Sequence, residues 1–316
     1  MRSLYLSFFF LALLALTNRS FAQNQYFQFL NSTIVIADSS TAATFVSTPD
    51  NYTANFSTFD LQGKIGGTGN YTEKDYLAHA AKGMRNWTVS QAKSIEQSMG
   101  TIASFIKDNK LQLQLPDSIL IIKTNAQEEF GADGYTRGNA IILNSGSSLV
   151  GTGILSHELF HIFSRYNEAT RDAIYALFGF KKCNPIDVSK ALQQRNISNP
   201  DCPVINHYIT VNGQDMVLIL YSNRDYTGGS VFEEYVAVSL LVIEGKGNNK
   251  QPKISNGKPV IIEFQNAMEI FQQVGTNTDY LLHPEEISAE HFTFLITGRK
   301  VRQPSYVEQL KKVLQQ

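Results

Sequence analysis

Apolar and polar positions follow two different rhythms along this chain. From Thr88 to Lys110, "TVSQAKSIEQSMGTIASFIKDNK" repeats its apolar residues at every third and fourth position, which predicts a helix. "TEKDYLAHAAKGM" opens on a capping threonine, Thr72, and predicts another. Helical spacing returns in Gly153–Asn167, Asn167–Phe180, Asn266–Val274, His283–Ile296 and Pro304–Gln316. Short β-rich runs stand between them, at Asp117–Thr124 and Gly138–Asn144. "INHYITV" and "QDMVLILYS" flank Asn212-Gly213, a pair that predicts a tight hairpin. "KPVIIEF" reads as a strand, and "SVFEEYVAVSLLVIEG" carries both signals. Helices and strands are both abundant but do not alternate as βαβ units, so the expected class is α+β.

The first 22 residues follow a different logic. Arg2, the apolar run Leu4–Leu16 and the small residues Ser20 and Ala22 form the three parts of a secretory leader. The run is shorter than the roughly 18 residues a spanning helix needs, so cleavage near Ala22 is expected. No later stretch is long and apolar enough for a membrane segment. The expected location is secreted or periplasmic. Residues 23–70 are rich in Thr, Ser and Asn and read as a β-rich or irregular N-terminal segment, with strands at "STIVIADS" and "TAATFV". Residues 71–316 make up the main domain. Within it, between the runs Asp117–Thr124 and Gly138–Asn144, "NAQEEFGADGYTRG" reads as a turn-rich connection, Asn125 to Gly138.

Charge and cysteine content narrow the partners. With 27 basic and 28 acidic residues, the chain has no surplus to spend on nucleic acid. Cys183 and Cys202 are the only two cysteines. In an exported protein such a pair is expected to form a disulfide. The bridge would staple the polar excursion between them, with a short helix near Val188–Gln194.

The chemistry concentrates in "GILSHELFHIFSRYN", Gly153–Asn167. At about 100° per residue, His157 and His161 fall about 40° apart. Leu155, Leu159, Ile162 and Tyr166 lie on the opposite side, between about 140° and 200° from His157. The helix can bury its apolar stripe and present both imidazoles together, with Glu158 beside them. This is H-E-x-x-H: two imidazoles one turn apart reach a single Zn²⁺, and the glutamate serves as general base toward water. The longer form with a third histidine is excluded, because Ser164 and Asn167 stand where it needs Gly and His.

A third ligand must therefore come from downstream. "HPEEISAEHF" places Glu286 and Glu290 one turn apart on a helix that begins at Pro284. Glu286 would ligate the metal, and Glu290 would hold the ring of a ligating histidine. Glu233 or Glu234 in "VFEEYVAV" is the rival, but has no carboxylate one turn on. Candidates to stabilise an oxyanion are Tyr226, Tyr235, His207, His291 and Arg299, with nothing in the sequence to choose among them.

His157-Glu158-Leu159-Phe160-His161 followed by Glu286-Ile287-Ser288-Ala289-Glu290 resembles the gluzincin metallopeptidases, with Glu290 in place of the usual aspartate. The resemblance implies a zincin-like fold, a mixed sheet with an active-site helix. It implies Zn²⁺ on His157, His161 and Glu286, and Glu158 as catalytic base. "GNAIIL" is similar to the strand whose edge pairs with extended substrate in that family, so Asn139 and Ala140 are expected to bind substrate. The expectation is a zinc-dependent peptidase acting on peptides or proteins. Two alternatives stay open: a non-catalytic binding or adhesion protein on the same scaffold, and a zinc hydrolase of non-peptide bonds.

Overall fold

The computed structural model describes residues 21–146 and 150–316. The leader read at 1–22 lies outside the described residues apart from Phe21 and Ala22. The fold is mixed α+β. Among the described residues no helix is long and apolar enough to cross a membrane.

The first sheet contains β1 (Gln25–Phe29), β2 (Ser32–Ile36), β3 (Met84–Arg85), β4 (Ser118–Thr124), β5 (Gly134–Arg137) and β6 (Ala140–Asn144). Its order is β1-β2-β4-β6-β5, with β3 beside the end of β4. β2, β4 and β6 run parallel to their neighbours in that trio, while β1 and β5 are antiparallel at the two edges. Strand residues point alternately to opposite faces. Ile119, Ile121, Ile141 and Leu143 accordingly join one core, and Ile122, Ala140 and Ile142 another. Both faces are covered, which is why these strands read as near-continuous apolar runs.

Helices supply the covering. They are α1 (Ser39–Val46), α2 (Thr58–Ile65), α3 (Glu73–Gly83), α4 (Val89–Asp108), α5 (Thr152–Tyr166), α6 (Glu168–Leu177), α7 (Val231–Glu234), α8 (Phe271–Val274), α9 (Pro284–Thr297) and α10 (Pro304–Leu314). α4 starts on a capping box between Thr88 and Gln91 and buries Ile95, Met99, Ile102 and Ile106. These meet Leu155, Leu159 and Ile162 of α5 on one face of the sheet. Tyr76, Leu77 and Ala80 of α3 fill the other. Each fully buried Leu or Ile contributes roughly 1.5–3 kcal/mol, so this seam helps to anchor α5 on the sheet.

A second sheet is antiparallel and includes β7 (Lys181–Lys182), β8 (His207–Val211), β9 (Gln214–Tyr221) and β10 (Ala237–Glu244). Asn212 and Gly213 join β8 to β9 with positive φ at both positions, 51° and 75°, as a two-residue hairpin requires.

Four expectations change here. "TAATFV" is not a strand: it belongs to α1, whose start Asp38 caps by accepting from Thr41 N–H. Residues 23–70 thus hold helices as well as strands, and β2 pairs directly with β4. The excursion near Val188–Gln194 is a run of turns, with positive φ at Gln193 and Gln194, and not a helix. Gly134–Arg137, read as part of a turn, is an edge strand. Finally, Cys183 and Cys202 are unpaired. Cys183 packs with Val217, Ile219 and Leu241 of the second sheet. Cys202 lies near Glu286, Asp201 and Glu285, whose charges, after burial itself, hold its thiol well above the usual range. The two sulfurs serve different neighbourhoods, so no staple forms.

Candidate metal centre

α5 folds as its periodicity dictates. Leu155, Leu159 and Ile162 enter the core together with Phe163, whereas Tyr166, expected on the same stripe, ends the helix 48 % exposed. His157 and His161 emerge on the other side, with ring centroids 4.8 Å apart. Opposite them lies α9. His283 caps it, its Nδ1 accepting from Glu285 N–H at 3.1 Å, and Pro284 takes the first turn. That start fixes Glu285 and Glu286 in the first turn, where the helix dipole favours negative charge, and Glu290 one turn on. Phe160 and Phe292 lock the two helices together, ring to ring at 5.6 Å.

The histidines and carboxylates interleave in a regular way. Glu286 Oε2 stands 3.1 Å from His157 Nε2 and 3.6 Å from His161 Nε2. Ligand atoms of these three residues lie within 4.8 Å of one another. The far nitrogen of each ring meets another carboxylate of α9: His157 Nδ1 is 3.4 Å from Glu290 Oε1, and His161 Nδ1 is 2.8 Å from Glu285 Oε1. Glu285 also accepts from the hydroxyls of Ser164, at 2.6 Å, and Tyr175. Asn199 Nδ2 donates to Glu286 Oε1 at 2.5 Å, leaving Oε2 to face the rings.

Three observations bear on whether a metal fits. Four-coordinate zinc with bonds of about 2.0–2.2 Å holds its ligand atoms about 3.3 Å apart, and the Glu286–histidine separations bracket that spacing. His161 Nε2 is buried and has no hydrogen-bond partner among the described residues. A buried polar atom without a partner costs about 1–3 kcal/mol, and a coordinated cation removes that cost. The donor set of two imidazoles and one carboxylate suits zinc with a position left open.

The electrostatics follow from burial among opposite charges. Burial pulls the His161 imidazole down, but the charges of Asp201 and Glu286 and the bond to Glu285 lift it to about 9. His157 is likewise held well above its usual value, its contacts with Glu286 and Glu290 outweighing burial. The reverse applies to Glu286: burial raises it, yet the two histidines and Asn199 bring it down to about 2. Glu158 is 3 % exposed. Burial first, then Asp201, pushes its carboxyl up to about 8. Its Oε2 has no partner among the described residues.

No family model, no curated protein and no solved structure matches the chain. The reading of the site therefore stands on its own residues.

The structure brings His157, Glu158, His161, Glu286 and Glu290 together and leaves the rival aside. Glu234 is exposed and pairs with Arg224 at 3.7 Å, outside the cluster. Asn139 and Ala140 are not at an open edge. β6 lies between β4 and β5, Ala140 is fully buried, and Asn139 donates to Ser118 O at 2.9 Å. The edge belongs to β5, and there Gly134 abuts the site: a Cβ on it would stand 2.7 Å from Glu158 Oε1.

The oxyanion candidates have other partners. Tyr226 and Tyr235 donate to Gly229 O and Gly228 O. His207 pairs with Asp172, His291 bonds Ile287 O, and Arg299 covers the Phe294 ring. Tyr280 was not singled out by any pattern, yet its ring is 6.2 Å from His157. The residue is 45 % exposed, yet burial at the site and the nearby charges of Glu286, Asp201 and Glu158 raise its pKa strongly. Asp201, Asn199 and Glu285 were also missed. Only Glu285 left a signal, as the immediate neighbour of Glu286.

Proposed function

We propose that this protein is an exported zinc-dependent metallopeptidase with a zincin-like arrangement of mixed sheet, motif helix and ligand helix. One observation carries the reading. Three ligand atoms from His157, His161 and Glu286 converge, and the far nitrogen of each imidazole faces a carboxylate. Such partners orient a ligating ring and increase its basicity.

Zinc bound by those three residues would polarise a scissile carbonyl and acidify water. The remaining roles fall to side chains. Glu158 accepts a proton from the attacking water and returns it to the leaving amine. Glu158 is buried at the centre with Oε2 unpartnered among the described residues, so that oxygen is free to take the proton. Tyr280 keeps its hydroxyl proton and can donate to the oxygen that gains charge. Glu290 and Glu285 hold the rings of His157 and His161.

Glu158→Gln tests this reading. The variant should bind zinc at about one per chain, as the wild type does, while peptide turnover falls by about 10²–10⁴-fold, the usual contribution of a general base. Zinc retained with no turnover of any peptide by the wild type would favour a binding protein on the same scaffold. Turnover of esters or simple amides alone would move the substrate to non-peptide bonds.

A further inference from the structure

A strap of chain crosses the centre from the second-sheet side. Asp201 places a carboxylate oxygen within 4.8 Å of ligand atoms on both Glu158 and His161. Asp201 Oδ1 also accepts from Thr136 N–H at 2.7 Å and from the Thr136 hydroxyl at 2.5 Å. Thr136 is on β5, at the edge of the sheet. An edge N–H is the group that an added strand would use, and here a side chain from the same molecule takes it.

The strap is fastened at both ends. Ser198 donates through its N–H and its hydroxyl to Asp60, at 2.9 and 2.7 Å. At the other end Arg165 Nη2, from α5, donates to Pro200 O at 3.1 Å, Asp201 O at 3.2 Å and the Thr136 hydroxyl at 2.6 Å. Pro200 and Pro203 restrict the backbone, so holding it in one shape costs less entropy. Asp201 sits beside the carboxyls of Glu158 and Glu286 as well as beside His161 and Arg165, which favour it. An extended peptide that takes Thr136 N–H would relieve its contact with the two carboxyls.

We propose that Asn199–Cys202 is an intramolecular latch. Asp201 fills the substrate side of the centre and competes with an extended peptide for Thr136 N–H. The proposal rests on the peptidase reading above, and its test separates the two.

Full-length mature protein is compared with Asp201→Ala and with Arg165→Gln, which loosens the strap without touching the metal ligands. Three quantities are read: zinc per chain, the dissociation constant of a peptide hydroxamate, and hydrogen exchange of the Thr136 amide in the zinc-free chain. Zinc should stay near one per chain throughout. Hydroxamate binding should tighten by about tenfold in both variants, equivalent to about 1.4 kcal/mol. Thr136 should lose protection in Asp201→Ala. Zinc lost from Asp201→Ala would make Asp201 a ligand and overturn the latch. Zinc kept, peptide turned over by the wild type, and hydroxamate binding unchanged in both variants would overturn the latch alone. A wild type that binds no zinc would overturn the peptidase reading and the latch with it. Circular dichroism checks folding, and Arg165→Gln carries the test if Asp201→Ala does not fold.

Discussion

His161 Nδ1 lies 2.8 Å from Glu285 Oε1, in a spot closed to solvent. The contact turns the ring so that Nε2 points at Glu286 and leaves that nitrogen without another partner among the described residues. Glu285 is itself held by Ser164 and Tyr175, so its position is not adjustable. We predict that Glu285→Gln weakens zinc binding by about 10–100-fold, the usual effect of losing a carboxylate behind a ligating histidine. Competition with a chromophoric chelator reads this directly. An unchanged affinity would mean that Glu285 serves only the packing of α5 on α9.

Glu286 and Glu234 make opposite predictions. Glu286→Ala removes the carboxylate that faces Nε2 of both imidazoles and should abolish stoichiometric zinc binding. Glu234→Ala breaks an exposed pair with Arg224, worth about 0–1 kcal/mol, and a bond from Ser230 N–H, and should leave zinc content unchanged. Metal analysis of both variants decides it; zinc retained in Glu286→Ala sinks the ligand set.

Gly134 is where the edge strand meets Glu158, the proposed general base. A methyl group there would stand 2.7 Å from Glu158 Oε1, 3.1 Å from Ile154 and 3.1 Å from Leu143. Gly134→Ala must therefore displace Glu158 or the strand. The expected outcome is a destabilisation of about 1–3 kcal/mol, as for other overpacked sites. Turnover should fall by at least about tenfold, because about 1 Å of misplacement is costly to catalysis. Zinc content should not change. Wild-type turnover in this variant would show that Glu158 has room to spare.

The zinc-free chain should lose stability as pH rises from about 6.5 to 9. The sign follows from proton counting. His161 titrates at about 9 when folded, against roughly 6.5 when unfolded. Glu158 titrates at about 8 when folded, against roughly 4.3 when unfolded. In this window the folded state binds more protons at both sites, so stability falls with pH. The contribution of His161 is fully present below about 6.5 and is lost through about 9. Each group adds a slope of up to about 1.4 kcal/mol per pH unit. Urea unfolding in chelator at pH 6.5, 7.5 and 9 measures it, and a midpoint that climbs across the series would contradict the assignment. With zinc present the trend should reverse, because the metal must displace these protons and binds better as pH rises.

Parts of this arrangement were legible in the sequence for a physical reason: they are local. Leu155, Leu159 and Ile162 share a face, so the opposite placement of His157 and His161 follows from helical period alone. The one-turn spacing of Glu286 and Glu290 is local in the same way. The α+β class followed from element order. What failed depended on distant partners. "GADGYTRG" has a strand's backbone but a turn's composition, and only pairing with β6 makes β5 an edge. Ala140 was expected at an edge from the family resemblance alone, and a run of Ala, Ile and Leu does not say which neighbours flank it. Thr41–Val46 has strand-like residues, but Asp38 starts a helix ahead of them. Asp201 and Asn199 come from a polar excursion whose path over α5 no periodicity encodes. The cysteines invited a bridge because compartment suggests one, whereas pairing needs Cβ atoms about 3.5–4.5 Å apart.

Asp60 belongs to two structures at once. It completes the box with Ser57 that starts α2, and it receives Ser198 at the root of the strap. Freeing the strap at that root strips a fully buried carboxylate of two donors and unsettles the first turn of α2 in the same stroke. The cover and the helix start are thus geared together. A change near residue 60, remote in sequence from His157, His161 and Glu286, should loosen the strap that lies over them.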